Sequence, residues 1–380
     1  MKVAVIGRGT AAIVTSLQLI KYGHNVSMIY DPFVKPIKVG ESSTPIFTKL
    51  IEEVLDIKKS DLVKTGIFSY KKGINFVGWG KGNQFFHNFH NQDLAAHFQT
   101  ESFNEFTHQV FQDRNLINYY PHKVKDIKFE NDKATIDNKF TFDFVVSCSG
   151  WADDDSDDSI IEIVNSAVLF KKNYPEYSTE HTLHLATEDG WQFGVPFPKQ
   201  NIFNCGYLYN SNYISKEEVI GKIGGEYHES FTWKPKSSKR MIKNNFHATN
   251  GNRLFFFDPL QALSLHYFVE CAKLICNFLD NRQEYNMDRI NSLYNRAMYE
   301  QQMSILYHYH YGSTFNSKFW NHMKEKSTQI MIGSHWGVGD IFKRKVEVDS
   351  KYNLDPETST SRMGTFEWQD HLQILSGMKS

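Results

Sequence analysis

The sequence predicts an α/β fold whose first unit is a β-strand, a helix and a second β-strand. Residues 3–6 form a short apolar run, rich in β-branched side chains, that is typical of a buried strand. Apolar residues then recur at helical spacing over residues 10–21, and Gly23 follows the helix end. Residues 25–30 again have the composition of a strand. This order is typical of a βαβ unit in a parallel sheet.

The turn between the first strand and the helix has the residues of a dinucleotide site. Gly7 allows a tight turn, Gly9 lets the main chain approach a pyrophosphate, and Ala12 lets the helix pack closely on the strand. The helix N-terminus offers N–H groups and a partial positive charge to the phosphates. Asp31 lies about twenty residues further on, where an acid binds a ribose hydroxyl. The alternative is an ordinary α/β unit with a glycine turn and no nucleotide. The predicted cofactor contacts here are Gly7, Gly9, Thr10, Ala11, Ala12 and Asp31.

Composition and charge argue against several classes of protein. The chain has 380 residues and a net charge of −1, which predicts two or more closely packed units and argues against bulk nucleic-acid binding. Its four cysteines form no C-x-x-C pair and are expected to be reduced. No apolar run reaches the length of a membrane span, and the first strand leaves no room for a signal peptide. We therefore expect a cytoplasmic protein that binds neither membrane nor nucleic acid, and a homo-oligomer is compatible with the sequence.

Residues 124–150 predict a small antiparallel flap followed by a returning strand. Two short strands join at a turn around Asn131, and a buried run then ends in Ser-Gly at residue 150. This shape is typical of glutathione-reductase-type FAD domains, in which the returning strand abuts the cofactor. The predicted fold class is α/β, a glutathione-reductase-type FAD-binding Rossmann fold with a β-meander and an added substrate-binding region of sheet and helices.

The predicted domain organisation is a single closely packed unit over residues 1–320, followed by a helical or irregular C-terminal segment over residues 321–380. The FAD-binding parts are expected at about 1–50, 120–152 and 250–280, and the substrate region at about 60–120 and 155–250.

A loop with the sequence VGESSTP, residues 39–45, precedes a second predicted helix. Ser43 or Thr44 would cap that helix through a side-chain oxygen. The functional alternative is that this loop folds back over a flavin, as the loop after the second strand does in flavin enzymes. That arrangement would bring Glu41 and Ser42 to the cofactor.

Lys71 is the first of two lysines at the start of a predicted strand over residues 73–77. A lysine pair in a strand is usually a solvated face, and Lys71 would have a functional meaning only if the strand entered a cavity. His87, His90 and His97 follow at a spacing that loosely suggests a metal, but no carboxylate or cysteine set accompanies them. We expect a polar pocket wall or surface there and no metal site.

Two later stretches also indicate a pocket. Residues 183–215 set glycines and prolines between aromatic residues, which favours strands that wall a pocket. Aromatic residues make up 15% of the chain, which fits either a site for a flat aromatic substrate or simply an aromatic-rich core. A helical pattern follows Asp258, and its N-terminus would direct the helix dipole at a small anion or at the flavin.

Together these motifs resemble those of the flavin-dependent halogenases of the tryptophan halogenase family. GRGTAA resembles the family's GGGTAG, VGESSTP its GEATVP-type segment, YKKGINF its FKAAIKF and CSGW its CSGF. GWQFGVP resembles the W-x-W-x-I-P signature, GYLYNSNYIS resembles GYVYSS, DPLQALSLH resembles EPLESTSIH, and LYHYHYGSTFNSKFW resembles the H-Y…SPFW segment. The motifs occur in the family's order from residue 2 to about residue 320, which makes the resemblance specific.

The resemblance implies an enzyme that uses reduced FAD, dioxygen and halide to make hypohalous acid. Lys71 falls on the family's catalytic lysine, which directs the oxidant onto an electron-rich, indole-like or phenol-like substrate. Main-chain groups of Leu263 and Ser264 fall on the halide site. No second nucleotide loop is evident, so a separate flavin reductase is expected as a partner. The resemblance also implies FAD contacts at Glu41, Ser42, Val124 and Leu265, and a pocket wall of Trp191, Phe193 and Pro196.

Two positions depart from the family pattern. Phe193 replaces the second tryptophan of the W-x-W-x-I-P signature and keeps an aromatic wall. Gln261 falls on the family's catalytic glutamate, and Ala262 on the serine after it. A neutral amide can hydrogen-bond but cannot take a proton at ordinary pH. Gln261 therefore predicts a slow halogenase, a halogenase for electron-rich substrates that need little help, or a halogenase whose base lies elsewhere. The further alternatives are an FAD-dependent aromatic monooxygenase and a flavin-binding homologue without catalysis. The candidate bases are Asp258, His266 and His308.

Overall fold

The structure is a computed structural model that describes residues 1–34, 40–89, 95–150, 156–158, 162–333 and 368–379; His90 lies outside these ranges. The first eleven strands are β1 (Lys2–Ile6), β2 (Asn25–Tyr30), β3 (Gly40–Ser42), β4 (Phe68–Lys71), β5 (Gly73–Val77), β6 (Gln84–Asn88), β7 (Ala95–Gln99), β8 (Ile117–Pro121), β9 (Ile127–Glu130), β10 (Lys133–Ile136) and β11 (Phe140–Phe142). The strands after them are β12 (Phe144–Ser147), β13 (Ser156–Asp158), β14 (Ser166–Lys172), β15 (His181–Thr187), β16 (Gly190–Phe197), β17 (Ile202–Tyr209), β18 (Glu226–Thr232), β19 (Lys236–Ser238), β20 (Ile242–Asn244), β21 (His247–Thr249) and β22 (Phe255–Phe256). The helices are α1 (Thr10–Lys21), α2 (Pro45–Leu55), α3 (Lys59–Thr65), α4 (Thr100–Asp113), α5 (Lys216–Lys222), α6 (Leu263–Asp280), α7 (Met287–Tyr311), α8 (Lys318–Gly333) and α9 (Trp368–Lys379).

The predicted parallel sheet forms the first half of the fold. Within the described ranges it has six strands in the order β20-β21-β12-β1-β2-β8. β1 pairs in parallel with β2 and with β12, and β20 runs antiparallel to β21 at one edge. Strands β9, β10 and β11 form the antiparallel flap in the chain between β8 and β12. These features confirm the α/β fold with a β-meander.

Helix α1 begins and ends at the residues that the sequence predicted. Most of its residues, polar as well as apolar, are buried, and it packs against α6. Because β1, β2 and β12 are parallel, their carboxyl ends meet at one edge of the sheet, and α1 begins at that edge. This is where ligands bind in open α/β sheets.

A second, mixed sheet lies in the residues for which the sequence predicted a substrate region, and that role stays a prediction. Counted over the same residues, it has seven strands in the order β18-β14-β17-β16-β15-β5-β6, with β5 and β15 parallel. One face contributes Phe76, Trp191 and Leu208 to the main core, whereas Tyr207 and its neighbours form a separate cluster on the other face. The short sheet β3-β7-β4 links the two halves, because β3 follows the nucleotide unit and β4 leads into β5.

Two predictions of local structure were wrong or incomplete. The buried run that ends at residue 150 forms two strands, because Asp143 leaves the strand path and accepts a hydrogen bond from the Lys2 N–H over 2.6 Å. Thr44 occupies the cap position of α2 but bonds to His266 in place of a main-chain N–H. The division of the chain near residue 320 stays a prediction, and α8 runs across that position.

The sequence prediction also found no apolar run long enough for a membrane. Among the described residues, one stretch at 260–280 is long and apolar enough by length and composition alone. Of its most apolar window, 72% is buried inside the protein. This stretch contains α6, which packs against α1 and α2 as a core helix.

Candidate active site

The turn between β1 and α1 requires glycine at its first position. Gly7 has a φ of 125°, and a Cβ on it would lie 3.3 Å from the carbonyl carbon and oxygen of Cys148. The Gly7 N–H donates to the oxygen of Ile29 over 2.8 Å, which ties the turn to β2. Both the main-chain conformation and the close approach of Cys148 exclude a larger residue.

The N-terminus of α1 offers main-chain donors and open space. The N–H groups of Thr10, Ala11 and Ala12 lie in the first helical turn, where a helix cannot supply acceptors. In the described part of the chain, no atom lies within 4 Å of the place where a Cβ on Gly9 would be. The opposite side is closely packed, since a Cβ on Gly251 would lie 2.5 Å from the Cβ of Ala11. This geometry fits a pyrophosphate at the open side.

A buried polar cluster lies beside this helix start. The Thr10 hydroxyl lies 3.3 Å from both Glu41 Oε1 and Asn104 Oδ1, and the Thr100 hydroxyl donates to Glu41 over 2.8 Å. Burial raises the pKa of Glu41 to about 7, although the two threonine hydrogen bonds lower it. Asn104 Nδ2 is buried and has no hydrogen-bond partner among the described residues. A buried, unpaired donor beside the open cradle indicates a ligand, so these residues fit a dinucleotide.

Three further predicted cofactor contacts, Asp31, Val124 and Leu265, lie in separate parts of the fold. Asp31 follows β2, accepts a hydrogen bond from the Phe33 N–H over 3.0 Å, and lies 3.8 Å from Lys123 Nζ. Val124 is half-buried and packs against the core of the flap. Leu265 is buried in the first turn of α6.

Lys71 ends β4, and none of its surface is exposed. Its Nζ donates to the main-chain oxygen of Ser43 over 2.8 Å and lies 4.9 Å from the centre of the Phe89 ring. Burial lowers the pKa of Lys71 to about 7, and no carboxylate within the described ranges pairs with it. Lys72 is exposed and pairs with Glu180 over 2.6 Å. The solvated-face interpretation therefore holds for Lys72 and is wrong for Lys71.

Among the described residues, three buried histidines, His97, His181 and His184, lie within the electrostatic reach of Lys71. Burial lowers the pKa of both His97 and His184, and the Lys71 charge lowers each further. His97 Nε2 and Ser42 Oγ lie 2.9 Å and 2.7 Å from the same Thr182 hydroxyl. Ser42 therefore belongs to this polar cluster. Glu41, the residue before it, faces α1, because side chains alternate along β3. In the chain as described, no group of three or more histidine, cysteine or acidic side chains could hold a metal.

Gln261 lies in a turn of left-handed main chain just before α6. The φ values of Gln261 and Ala262 are 65° and 57°, and the Ala262 N–H donates to the oxygen of Pro259 over 3.0 Å. Helix α6 then begins at Leu263, with an alanine at its cap position. The first-turn N–H groups, which include those of Leu263 and Ser264, suit a small anion.

The Gln261 side chain is buried and contacts a histidine from α7. Gln261 Nε2 lies 3.2 Å from His308 Nε2, and His308 Nδ1 lies 2.8 Å from the main-chain oxygen of Ser304. Burial lowers the pKa of His308 to about 4; the Ser304 hydrogen bond raises it, and the charge of His87 lowers it.

The predicted wall residues lie on β16 but do not share one face. Trp191 and Phe193 face the main core, and Pro196 lies on the opposite face because side chains alternate along a strand. The Trp191 ring lies 4.8 Å from the His184 ring. The Phe193 ring covers Gly206, where a Cβ would lie 2.3 Å from a ring carbon. Trp191 therefore joins the surroundings of Lys71.

The predicted site residues form two groups: the first lies around the start of α1, and the second lies around Lys71 and the start of α6. Strand β3 and the start of α2 connect the two groups. Glu41 contacts the helix start at Thr10, and Ser43 contacts Lys71. Sequence reasoning did not select Asn104 or His184. The Asn104 contact with Thr10 spans 94 residues of sequence, and no local pattern marks it.

Comparison with known proteins identifies the family. The sequence profile described as tryptophan halogenase matches residues 2–144 and 93–334 of this chain. This chain belongs to the tryptophan halogenase family. The tryptophan 7-halogenase KtzQ of Kutzneria sp. (strain 744) is 21% identical over 421 aligned residues, which cover 85% of this chain and 78% of that protein.

Solved structures of halogenases share the fold. The tryptophan halogenase from Shewanella frigidimarina NCIMB 400 superposes with a TM-score of 0.80 at 15% identity, covering 100% of this chain and 89% of that one. BrvH, a flavin-dependent halogenase from Brevundimonas sp. BAL3, gives a TM-score of 0.77 at 16% identity, covering 99% and 89%. The fold class is thereby confirmed, and the chain is an enzyme of the flavin-dependent halogenase family, which uses FAD and halide.

Proposed function

We propose that this chain halogenates a small, electron-rich aromatic compound, indole-like or phenol-like, and that Lys71 directs the oxidant. The observation that carries this proposal is the complete burial of the Lys71 side chain. A charge in a protein interior costs free energy, and within the described ranges no carboxylate offsets that cost. A flavin hydroxylase would have no use for such a lysine, because oxygen transfer needs the substrate beside the flavin.

The first group of residues is proposed to hold FAD. When bound, FAD supplies the oxidation of halide by dioxygen. The open side of Gly9 and the N–H groups of α1 would receive its pyrophosphate, and Asp31 would bind a ribose hydroxyl. Support comes from the unpaired Asn104 Nδ2 beside this cradle. The proposed contacts are Gly7, Gly9, Thr10, Ala11, Ala12, Asp31, Glu41, Val124 and Leu265, together with the main chain of Ser42, whose side chain belongs to the second group.

The second group is proposed to bind the halide and to direct the oxidant. The N–H groups of Leu263 and Ser264 would hold the halide at the start of α6. The Lys71 ammonium, which has three N–H donors, would keep its hydrogen bond to Ser43 and donate another to the oxygen of hypohalous acid. Gln261 would hydrogen-bond to the same oxidant through its amide. Trp191 and Phe193 would wall the aromatic substrate.

The proposed partner is a separate flavin reductase that supplies reduced FAD. We propose a cytoplasmic enzyme, since all four cysteines are free thiols. A homo-oligomer is compatible with this proposal.

The test is a product assay with the purified protein, FAD, a flavin reductase, bromide and a panel of indoles and phenols. We expect products whose mass spectra show the bromine isotope doublet. An added oxygen mass without bromine would establish the hydroxylase, and flavin binding without any product would establish the non-catalytic homologue.

A further inference from the structure

A histidine, His308, lies beside Gln261, the residue at the position of the family's catalytic glutamate. Gln261 stands where the family has its catalytic carboxylate, and an amide cannot accept a proton at ordinary pH. His308 reaches this position from α7, with its Nε2 3.2 Å from Gln261 Nε2. His308 is completely buried, so its hydrogen bonds fix the roles of both ring nitrogens.

The main chain of α7 determines which nitrogen of His308 is the acceptor. Nδ1 lies 2.8 Å from the Ser304 carbonyl oxygen, and a carbonyl oxygen can only accept. Nδ1 therefore carries the hydrogen of the neutral ring, and Nε2 carries the lone pair. The amide N–H of Gln261 donates to that lone pair, so the basic atom of His308 points at the position of the missing carboxylate.

The two other candidate bases are committed to different partners. Asp258 accepts from the Leu260 N–H over 3.0 Å and from the Tyr309 hydroxyl over 2.8 Å, so each carboxylate oxygen already has a donor other than Gln261. His266 directs Nδ1 at the Thr44 hydroxyl over 3.2 Å.

His308 also shares surroundings with the proposed directing lysine. The Phe76 ring stacks on His308 with centroids 5.6 Å apart and meets the edge of His184 at 5.1 Å. The charges of Lys71 and His308 both lower the pKa of His184. His308 and Lys71 therefore both lie in the neighbourhood of His184.

We propose that His308 is the base that takes the proton from the substrate ring, in place of the family's glutamate; this inference rests on the proposed halogenase function. A ring carbon bonds to the halogen of hypohalous acid, and the oxygen–halogen electron pair leaves on oxygen. The carbon–hydrogen electron pair then restores the aromatic ring, and the proton moves to His308 Nε2 once the Gln261 amide rotates away. The departing hydroxide takes a proton from the Lys71 ammonium. Return of the His308 proton to the lysine completes the conversion of arene and hypohalous acid to haloarene and water.

The basicity of His308 suits this step. With a pKa of about 4 in its buried surroundings, its Nε2 is unprotonated at neutral pH and has a strength similar to that of an ordinary glutamate. Among the described residues, His87 on β6 and His184 on β15 are titratable groups in electrostatic contact with His308.

The experiment uses four variants of the full chain: H308N, Q261E, the double variant Q261E/H308N, and H310N as a matched control on the same helix. Brominated product is measured relative to free hypobromous acid trapped by a 1,3-diketone. We expect H308N to lower this ratio about 10²-fold, as loss of a positioned base does, and we expect the ratio to recover in the double variant, where a carboxylate replaces the lost base. H310N should leave the ratio unchanged.

A substrate deuterated at the halogenated carbon separates a base from a structural residue. If His308 is the base, H308N becomes limited by proton removal and shows a primary isotope effect that the double variant lacks. His308→Gln serves as a second variant that keeps an acceptor of similar reach. The proposal would be overturned if H308N had an unchanged ratio and no isotope effect. It would also be overturned if the ratio of the double variant were as low as that of H308N. Absence of brominated product from the unmodified protein would overturn the halogenase function instead.

Discussion

The Lys71 ammonium donates a hydrogen bond to the main-chain oxygen of Ser43 over 2.8 Å. Ser43 lies between β3, whose Glu41 contacts the start of α1, and α2. One short segment therefore contacts both the proposed flavin cradle and the proposed directing group. A lysine whose ammonium is held this way has a fixed direction, which aiming an oxidant at one carbon requires.

The open side of Gly9 predicts a variant that affects the cofactor without affecting the fold. Gly9→Ala places a methyl group where no described atom lies within 4 Å, so its apo unfolding temperature should match that of the unmodified protein. Its FAD affinity should fall about tenfold or more, or at least ~1.4 kcal/mol, because the methyl group occupies the pyrophosphate position. Titration of FAD against intrinsic fluorescence measures the affinity.

Two matched glycine variants control this prediction. Gly221→Ala also meets open space, in α5 and far in sequence from the cradle; it should leave the FAD affinity unchanged and should not lower the apo unfolding temperature, because alanine favours a helix. Gly7→Ala should lower the apo unfolding temperature, since its φ of 125° and the Cys148 main chain at 3.3 Å oppose a side chain. Unchanged FAD affinity in Gly9→Ala would place the cofactor elsewhere.

The pKa of Lys71 predicts the pH dependence of product formation. Burial lowers this pKa to about 7, so the ammonium predominates below that pH and is lost above it. The contacts with the Ser43 oxygen and the Phe89 ring both favour the ammonium. We therefore expect the product formed per hypohalous acid released to fall as pH rises through about 7. A ratio that rises instead would indicate that the neutral amine reacts with the oxidant as a haloamine.

The same group predicts how the free energy of unfolding depends on pH. Lys71 has an ordinary pKa of 10.5 when unfolded and about 7 when folded, so the unfolded chain binds more protons between these values and stability rises with pH. Lys71→Met should therefore stabilise the protein most below the folded pKa, and this gain should shrink toward pH 10.5. A tenfold change in an acid dissociation constant corresponds to roughly 1.4 kcal/mol, so the gain should be readily measurable.

Urea unfolding of both proteins at about pH 6 and about pH 9 measures this dependence. Lys72→Met, which removes an exposed lysine paired with Glu180, should show a small, nearly pH-independent effect. If Lys71→Met changed the free energy of unfolding by the same amount at both pH values, this would contradict a lowered pKa of Lys71 in the folded protein.

Local sequence signals predicted the first half of the fold well. Helix α1 begins after Gly9 and ends at Lys21, as the glycine turn and the later Gly23 indicated. Both signals act within a few residues, so no distant contact was needed to interpret them. The order of the remaining motifs indicated the family, which the profile match confirms.

Contacts between distant segments limited the prediction of the site. The sequence could not tell which of Lys71 and Lys72 is buried, because that depends on β7 and on the oxygen of Ser43. Likewise, Gln261 and His308 are 47 residues apart, and only the packing of α7 against the turn before α6 brings them together. The family resemblance indicated both residues, but only the three-dimensional structure shows the hydrogen bond between them.

The most direct test of the account compares Lys71→Met with Lys72→Met in the bromination assay, with free hypobromous acid trapped in parallel. The two variants remove neighbouring lysines, one buried and one exposed. We predict that Lys71→Met lowers brominated product per hypobromous acid released by at least about 10²-fold, a loss comparable to that of a positioned catalytic group, and that Lys72→Met retains it. Equal product from both variants would contradict the claim that the buried ammonium directs the oxidant.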